Sequence, residues 1–321
     1  MSALLVRQGR LFALLACVLV LGVALGFDFA SERNIPLIGL LVVALGMPHG
    51  ALDSVFAQQL FAIATCRGWA LFTLLYVTLA LGVAGLWWWA PTAFLLVFLA
   101  MSAMHFAADL AAGVHPASRV AYGGAIIVLP AVWHATELRL LFGWIAGAPS
   151  ADSVVSVLQW VAVPWLVVAL ALVAYELRRS AAAALEFAAL VAVAALAPPL
   201  AAFTVYFCVM HSPRHLLRTL APLAPAVRQR AIALALWPTV VTVVLLGLGA
   251  YVFRHQPVSP LVMQLVFVSL AALTLPHMLL LDSASRRAPG SKNFGMKALL
   301  SPDPYAGLGR PDDSLTRTEV G

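Results

Sequence analysis

Residues 68–113 read GWALFTLLYVTLALGVAGLWWWAPTAFLLVFLAMSAMHFAADLAAG, forty-six residues in which Asp109 is the single side chain with a fixed charge. A helix needs about 20 mainly apolar residues to cross the hydrocarbon of a bilayer. The stretch is long enough for two crossings, and its middle supplies the turn. Trp87, Trp88 and Trp89 have the amphipathic rings that settle at a membrane interface, and Ala90-Pro91 interrupts the helix behind them. We place spans at 68–90 and 91–113.

Applied outward, the same ruler gives ten spans: 10–27, 35–62, 68–90, 91–113, 118–143, 153–178, 181–197, 199–221, 229–253 and 258–283. Pro198-Pro199 divides what would be one overlong helix. The chain is 63% hydrophobic and 10% charged, with mean hydropathy +0.98. Soluble domains carry roughly a quarter charged residues, so a polytopic all-α membrane bundle is the expected class. Residues 1–283 form one membrane domain, and 284–321, rich in Arg, Pro, Gly, Ser and Asp, form a tail expected to lack fixed structure.

The net charge of +6 does not mark a nucleic-acid partner, because the arginines lie in short connections. With a cytoplasmic N-terminus, Arg7, Arg10, Arg67, Arg119, Arg178, Arg179, Arg214, Arg218, Arg228 and Arg230 fall inside, against Arg33, Arg139 and Arg254 outside. That bias is what the positive-inside rule demands, and an odd span count would scramble it. Both termini are therefore expected in the cytoplasm of a cell inner-membrane protein. Cys17, Cys66 and Cys208 lack C-x-x-C spacing and give neither a disulfide framework nor a thiolate metal site. The run 11–27 is too long for a cleaved signal and no small-x-small site follows it.

Ionisable groups inside a bilayer are costly and default to function. Here they occur in strings: Gly46-Met-Pro-His-Gly-Ala-Leu-Asp53, Ser102-Ala-Met-His-Phe-Ala-Ala-Asp109, Trp133-His-Ala-Thr-Glu137, Tyr206-Phe-Cys-Val-Met-His-Ser-Pro-Arg-His215 and Thr274-Leu-Pro-His-Met278. Six of the eight histidines lie in spans, leaving His115 and His255 to loops. His211 and His215 are four apart and share a helix face. His49 with Asp53, and His105 with Asp109, repeat the spacing, so each carboxylate is expected to orient the histidine one turn away or to ligate itself.

The even-numbered spans run from outside to inside. His49, His105, His211, His215 and His277 then lie roughly 9 to 20 Å before the inner ends at 1.5 Å per residue. Unpaired imidazoles at one depth in lipid cost free energy, and a shared metal ion relieves it. His134 falls nearer the outer half and is read as a structural or pocket pair with Glu137. An imidazole set without thiolate suits Fe(II), Cu or Zn. An apolar pocket of Phe, Trp, Met and Leu suits a long apolar substrate entering from the bilayer. Such a molecule has no ester or amide to hydrolyse, which favours iron and O2.

These strings resemble those of the Brp/Blh family of membrane β-carotene 15,15′-dioxygenases: G-x-P-H-G-A-x-D at 46–53, S-A-x-H-F at 102–106, H-x-x-E at 134–137, Y-F-C-x-x-H-S-x-R-H at 206–215 and T-x-P-H-M at 274–278. The resemblance implies oxidative cleavage of the central double bond of β-carotene to two molecules of retinal. It implies Fe(II) held by His49, His105, His211 and His215, with His277 as an additional membrane histidine in a supporting position. It also implies that Tyr206 lines the substrate channel and that the product serves a rhodopsin. The chain departs from the pattern at Ala107, where glycine is usual, and at Ser54, where a bulkier residue is common.

Other readings predict other motifs. Di-iron desaturases and hydroxylases need H-x2-H-H boxes, which are missing here. A haem protein would use histidine pairs across helices. A transporter would use the His and Asp residues as a proton or metal relay, and it is the principal alternative.

Overall fold

The computed structural model describes residues 3–110, 113–221 and 223–287. Among them all regular structure is helical, in thirteen α-helices and several short 3-10 and π turns. Helices α1 (Ala3–Ala24), α2 (Ile35–Leu41) and α3 (Asp53–Phe61) are followed by α4 (Cys66–Trp89), α5 (Pro91–Phe106), α6 (Pro116–Val128) and α7 (Ala135–Ala146). Next come α8 (Ala148–Leu177), α9 (Ala181–Leu196), α10 (Pro199–Val205), α11 (Ser212–Leu220), α12 (Pro225–Val252) and α13 (Val258–Arg287).

Local chemistry sets these limits. Proline opens α5, α6, α10 and α12, at the first helical position, where its missing N–H is no loss. Thr65 Oγ1 accepts from the Gly68 amide at the start of α4, and Ser180 Oγ from the Ala183 amide at the start of α9. Each cap satisfies one amide that the first turn leaves free.

Among the described residues, six helical runs are long and apolar enough to cross a membrane: Ala3–Ala24, Glu32–Gln58, Cys66–Trp89, Ala148–Leu177, Pro225–Val252 and Val258–Ser283. With one bent pair counted as a span the number is seven, so the expected ten are not all found as crossing helices among the described residues. The one at 118–143 is bent by 108° between Pro116–Val132 and Ala135–Ala146. Those at 91–113 and 181–197 become the shorter helices α5 and α9. The one at 199–221 is assembled from α10, a π turn at Tyr206–His211 and α11. The N-terminal helix begins at Ala3, earlier than expected, and takes Arg7 and Arg10 into its length. At the other end α13 runs to Arg287, and the rest of the expected tail lies outside the described residues.

The core forms where α1 packs on α9, α9 on α8 and α6, and α5 on α6. The α5–α6 contact is backbone against backbone. A Cβ on Gly123 would lie 2.1 Å from the Ala103 carbonyl oxygen, so only glycine lets α6 brace the last turns of α5. By contrast, α4 has no buried residue and α12 only Ala231. Many of their leucines and valines, with Trp88, Trp89 and Trp237, face outward, as suits a surface in contact with acyl chains.

Candidate metal centre

The histidine-bearing segments are where the helices cease to be regular. The run from α2 passes through a π turn at Val42–Gly46 and a 3-10 turn at Met47–Leu52 before α3, and His49 sits in that 3-10 turn. The Phe207 ring occupies the space a Cβ on Gly46 would fill, 2.2 Å from its Cε1, which brings the Tyr206–His211 π turn against the His49 segment. His211 closes that π turn and His215 follows one turn later in α11. His105 is in the last turn of α5, and His277 follows Pro276 in α13. Single π turns inside helices recur at functional sites because they re-aim one side chain without ending the helix.

The five rings meet. Centroid separations from His49 are 6.5 Å to His105, 4.9 Å to His211, 5.6 Å to His215 and 5.7 Å to His277. His105 is 4.7 Å from His211 and 5.1 Å from His277, and His215 is 5.3 Å from His277. His49, His105 and His277 each offer a ring nitrogen within 4.8 Å of the other two, close enough to share one ion.

Hydrogen bonds decide which nitrogen three of the rings present. His211 Nδ1 donates to Asp109 Oδ2 at 2.9 Å, and the Tyr206 hydroxyl donates to the same oxygen at 2.6 Å. His277 Nδ1 donates to Asp53 Oδ1 at 2.6 Å, while the Tyr76 hydroxyl donates to Asp53 Oδ2 at 2.9 Å. His49 Nδ1 pairs with the Gly46 carbonyl. With Nδ1 carrying the proton, Nε2 keeps its lone pair. The Nε2 atoms of His211, His215 and His277 are buried without a hydrogen-bond partner. Unpaired buried acceptors are costly, and a metal ion among the rings would relieve that cost. The nitrogens within sharing distance of one ion are those of His49, His105 and His277, a group that does not include His211 or His215. The donor set fits such an ion, with carboxylates behind two of the histidines in the manner of known metal sites.

The carboxylates correct the expectation drawn from spacing. Asp53 serves His277 rather than His49, and Asp109 serves His211 rather than His105. The phase of the backbone explains both. A 3-10 turn advances three residues per turn, so positions four apart diverge, and α5 ends at Phe106, before Asp109. Tyr206 is fully buried, and its hydroxyl donates to Asp109 behind the His211 ring.

Asp109 is clamped from the other side. Arg214 Nη1 donates to its carbonyl at 3.1 Å and Arg218 Nη2 at 2.7 Å. Arg214 is 1% exposed and forms two bonds to Glu186, of 2.7 and 2.9 Å, and a third to Gln8 Oε1 at 2.8 Å. Tyr76, Gln8 and Glu186 were absent from the sequence-based candidates. Glu186 carried a usable signal, as a lone carboxylate within the apolar 181–197 stretch. His134 bonds Glu137 at 3.1 Å, partly exposed and outside the ring cluster. His115 and His255 are exposed.

Residues 40–283, which include all five clustered histidines, match a family model described as "Beta-carotene 15,15'-dioxygenase". A "Beta-carotene 15,15'-dioxygenase" from uncultured marine bacterium 66A03 is 32% identical over 269 residues, covering 80% of this chain and 95% of the relative. A "Probable beta-carotene 15,15'-dioxygenase Blh" from Halobacterium salinarum is 28% identical over 291 residues, covering 77% and 83%. No solved structure gives a significant match.

Proposed function

The chain belongs to the beta-carotene 15,15′-dioxygenase family, and from that premise we propose that it cleaves the central double bond of β-carotene with O2 to give retinal. The observation that carries the reading is the convergence of five imidazoles within an apolar helical bundle, three of them with unpartnered Nε2 atoms. The reaction breaks one C=C and one O=O bond and forms two C=O bonds, so it needs no outside reductant.

We assign His49, His105, His211 and His215 as ligands of Fe(II), and add His277, whose ring nitrogen lies in the same group as those of His49 and His105. Bound iron would supply the activation of O2. Asp109 and Asp53 hold His211 and His277 in the tautomer that turns Nε2 inward. The surrounding Phe106 and Phe207 rings, 4.8 and 5.3 Å from His211, exclude water and present an apolar wall to the polyene. Ten spans with both termini in the cytoplasm of a cell inner membrane agree with the arginine distribution. Retinal released into the bilayer is the form a rhodopsin would take up.

Expression in a carotene-producing bacterium tests the reading. Loss of orange colour with retinal in the extracts is the expected result. Unchanged carotene together with metal or proton flux in proteoliposomes would overturn it in favour of a transporter.

A further inference from the structure

Two cavities lie on consecutive turns of α4, α5 and α13, helices that also carry Tyr76, His105 and His277. The nearer, about 250 Å³, is lined along α5 by Phe94, Phe98 and Met101. The farther, about 530 Å³, reaches α5 at Pro91. Residues 91, 94, 98 and 101 are spaced three, four and three apart, a single helix stripe, and four residues further the stripe arrives at His105. That path is about 21 Å long at 1.5 Å per residue.

The facing helix repeats the arrangement. Leu79 and Val83 line the near cavity and Trp87 the far one, and the same stripe of α4 begins at Tyr76, whose hydroxyl holds Asp53 and through it His277. The third wall is α13, with Ala271 and Leu275 near and Val268 and Leu261 far. Thr78, Gly82 and Val97 on the rim are exposed, so the near cavity opens sideways to the acyl chains. In the far cavity the Trp87 indole N–H donates to the Ile145 carbonyl and the Gln264 amide to the Trp144 carbonyl, which leaves those walls apolar. A narrow slot, with a chamber of ligand-binding size on the next turns of the same helices, suits a slender chain that ends in a bulky ring.

We propose that this slot and chamber receive one half of the carotenoid, its conjugated chain between α4 and α5 and its terminal ring in the chamber, leaving the central double bond at the histidines. The assignment rests on the cleavage reaction proposed above and adds to it the residues that measure the length of the substrate.

The test fills the slot and the chamber separately. Gly82 lines the slot, and a new Cβ there meets nothing within 4 Å, so Gly82→Leu adds bulk at the mouth of the slot without disturbing the backbone. Ser269→Phe, on a different helix, occupies the chamber. Each holoenzyme variant is assayed with β-carotene and with an apocarotenal that keeps one ring-bearing half and has the other cut short. Binding is followed separately under nitrogen, where no cleavage occurs, by quenching of tryptophan fluorescence.

For β-carotene, kcat/KM should fall about tenfold or more, as overfilling a packed site does, and the anaerobic quenching should weaken in parallel. The shortened substrate should stay within about twofold of wild type, since its missing half no longer needs the groove. Equal losses on both substrates, or no loss on either, from a wild-type enzyme that cleaves β-carotene would show the groove to be ordinary lipid-facing surface and leave the enzyme reading intact. A wild-type protein inert to every carotenoid would overturn both.

Discussion

Asp53 hydrogen-bonds His277, more than two hundred residues away, and not His49, which precedes it by one helical turn in sequence. Asp109 makes the matching choice of His211 over His105. Each carboxylate also accepts a tyrosine hydroxyl, Tyr76 or Tyr206, so two Tyr–Asp–His strings approach the cluster from different helices. This cross-helix wiring gives separate expectations for the residues at the centre and for those behind it.

The centre itself is tested by His49→Ala, His105→Ala, His211→Ala and His215→Ala. Each should lose both iron and cleavage. Metal content of the purified protein checks the first and retinal yield the second. A variant that keeps full iron and turnover removes that residue from the ligand set. His115→Ala and His255→Ala, which alter exposed side chains, should stay near wild type in both measurements.

His277→Ala should weaken iron retention even though the other four histidines remain, because its Nε2 is buried and unpartnered beside them. Titration with a competing chelator would reveal the change. Affinity equal to wild type would return His277 to a purely structural role.

Asp53→Asn and Asp109→Asn keep the shape but replace the carboxylate, which only accepts, by a neutral amide that accepts through one atom and donates through the other, so the histidine tautomer is no longer fixed. Metal affinity should fall about 10- to 100-fold in each, the usual effect of losing an outer-shell partner. Tyr76→Phe and Tyr206→Phe remove one hydroxyl from the same strings and should cost less. Chelator titration would show that order, and a tyrosine variant weaker than its aspartate counterpart would contradict it.

Behind the centre, Glu186→Gln should destabilise the fold by about 3–5 kcal/mol, since it leaves the buried Arg214 charge without a counter-ion. Removing both charges, as Arg214→Met with Glu186→Leu, should recover part of that loss. Thermal unfolding in detergent compares the two, and a double variant less stable than the single one would refute the argument.

Membrane character, the helical class and the identity of the clustered histidines were legible in the sequence, because lipid penalises each unpaired polar group and the exceptions stand out. The pairing of aspartates with histidines was not. It depends on a 3-10 turn at Met47–Leu52 and a π turn at Tyr206–His211, and helical spacing assumes one regular pitch throughout. The straight span anticipated at 118–143 failed for a related reason. Pro130 stands in the 3-10 turn Leu129–Val132, beside a 108° bend that hydropathy does not register. Glu186 could have been found by the logic that found the histidines, whereas Tyr76 is indistinguishable in sequence from any aromatic of a lipid-facing helix.

That helix has a practical bearing. Because α4 buries none of its own side chains, much of its surface is open to whatever medium surrounds the bundle, and yet its Tyr76 reaches the carboxylate that orients His277. A change of medium that shifts α4 would act through Tyr76 on Asp53, one hydrogen bond removed from the histidines. The choice of solubilising medium is thus a variable of the active centre itself.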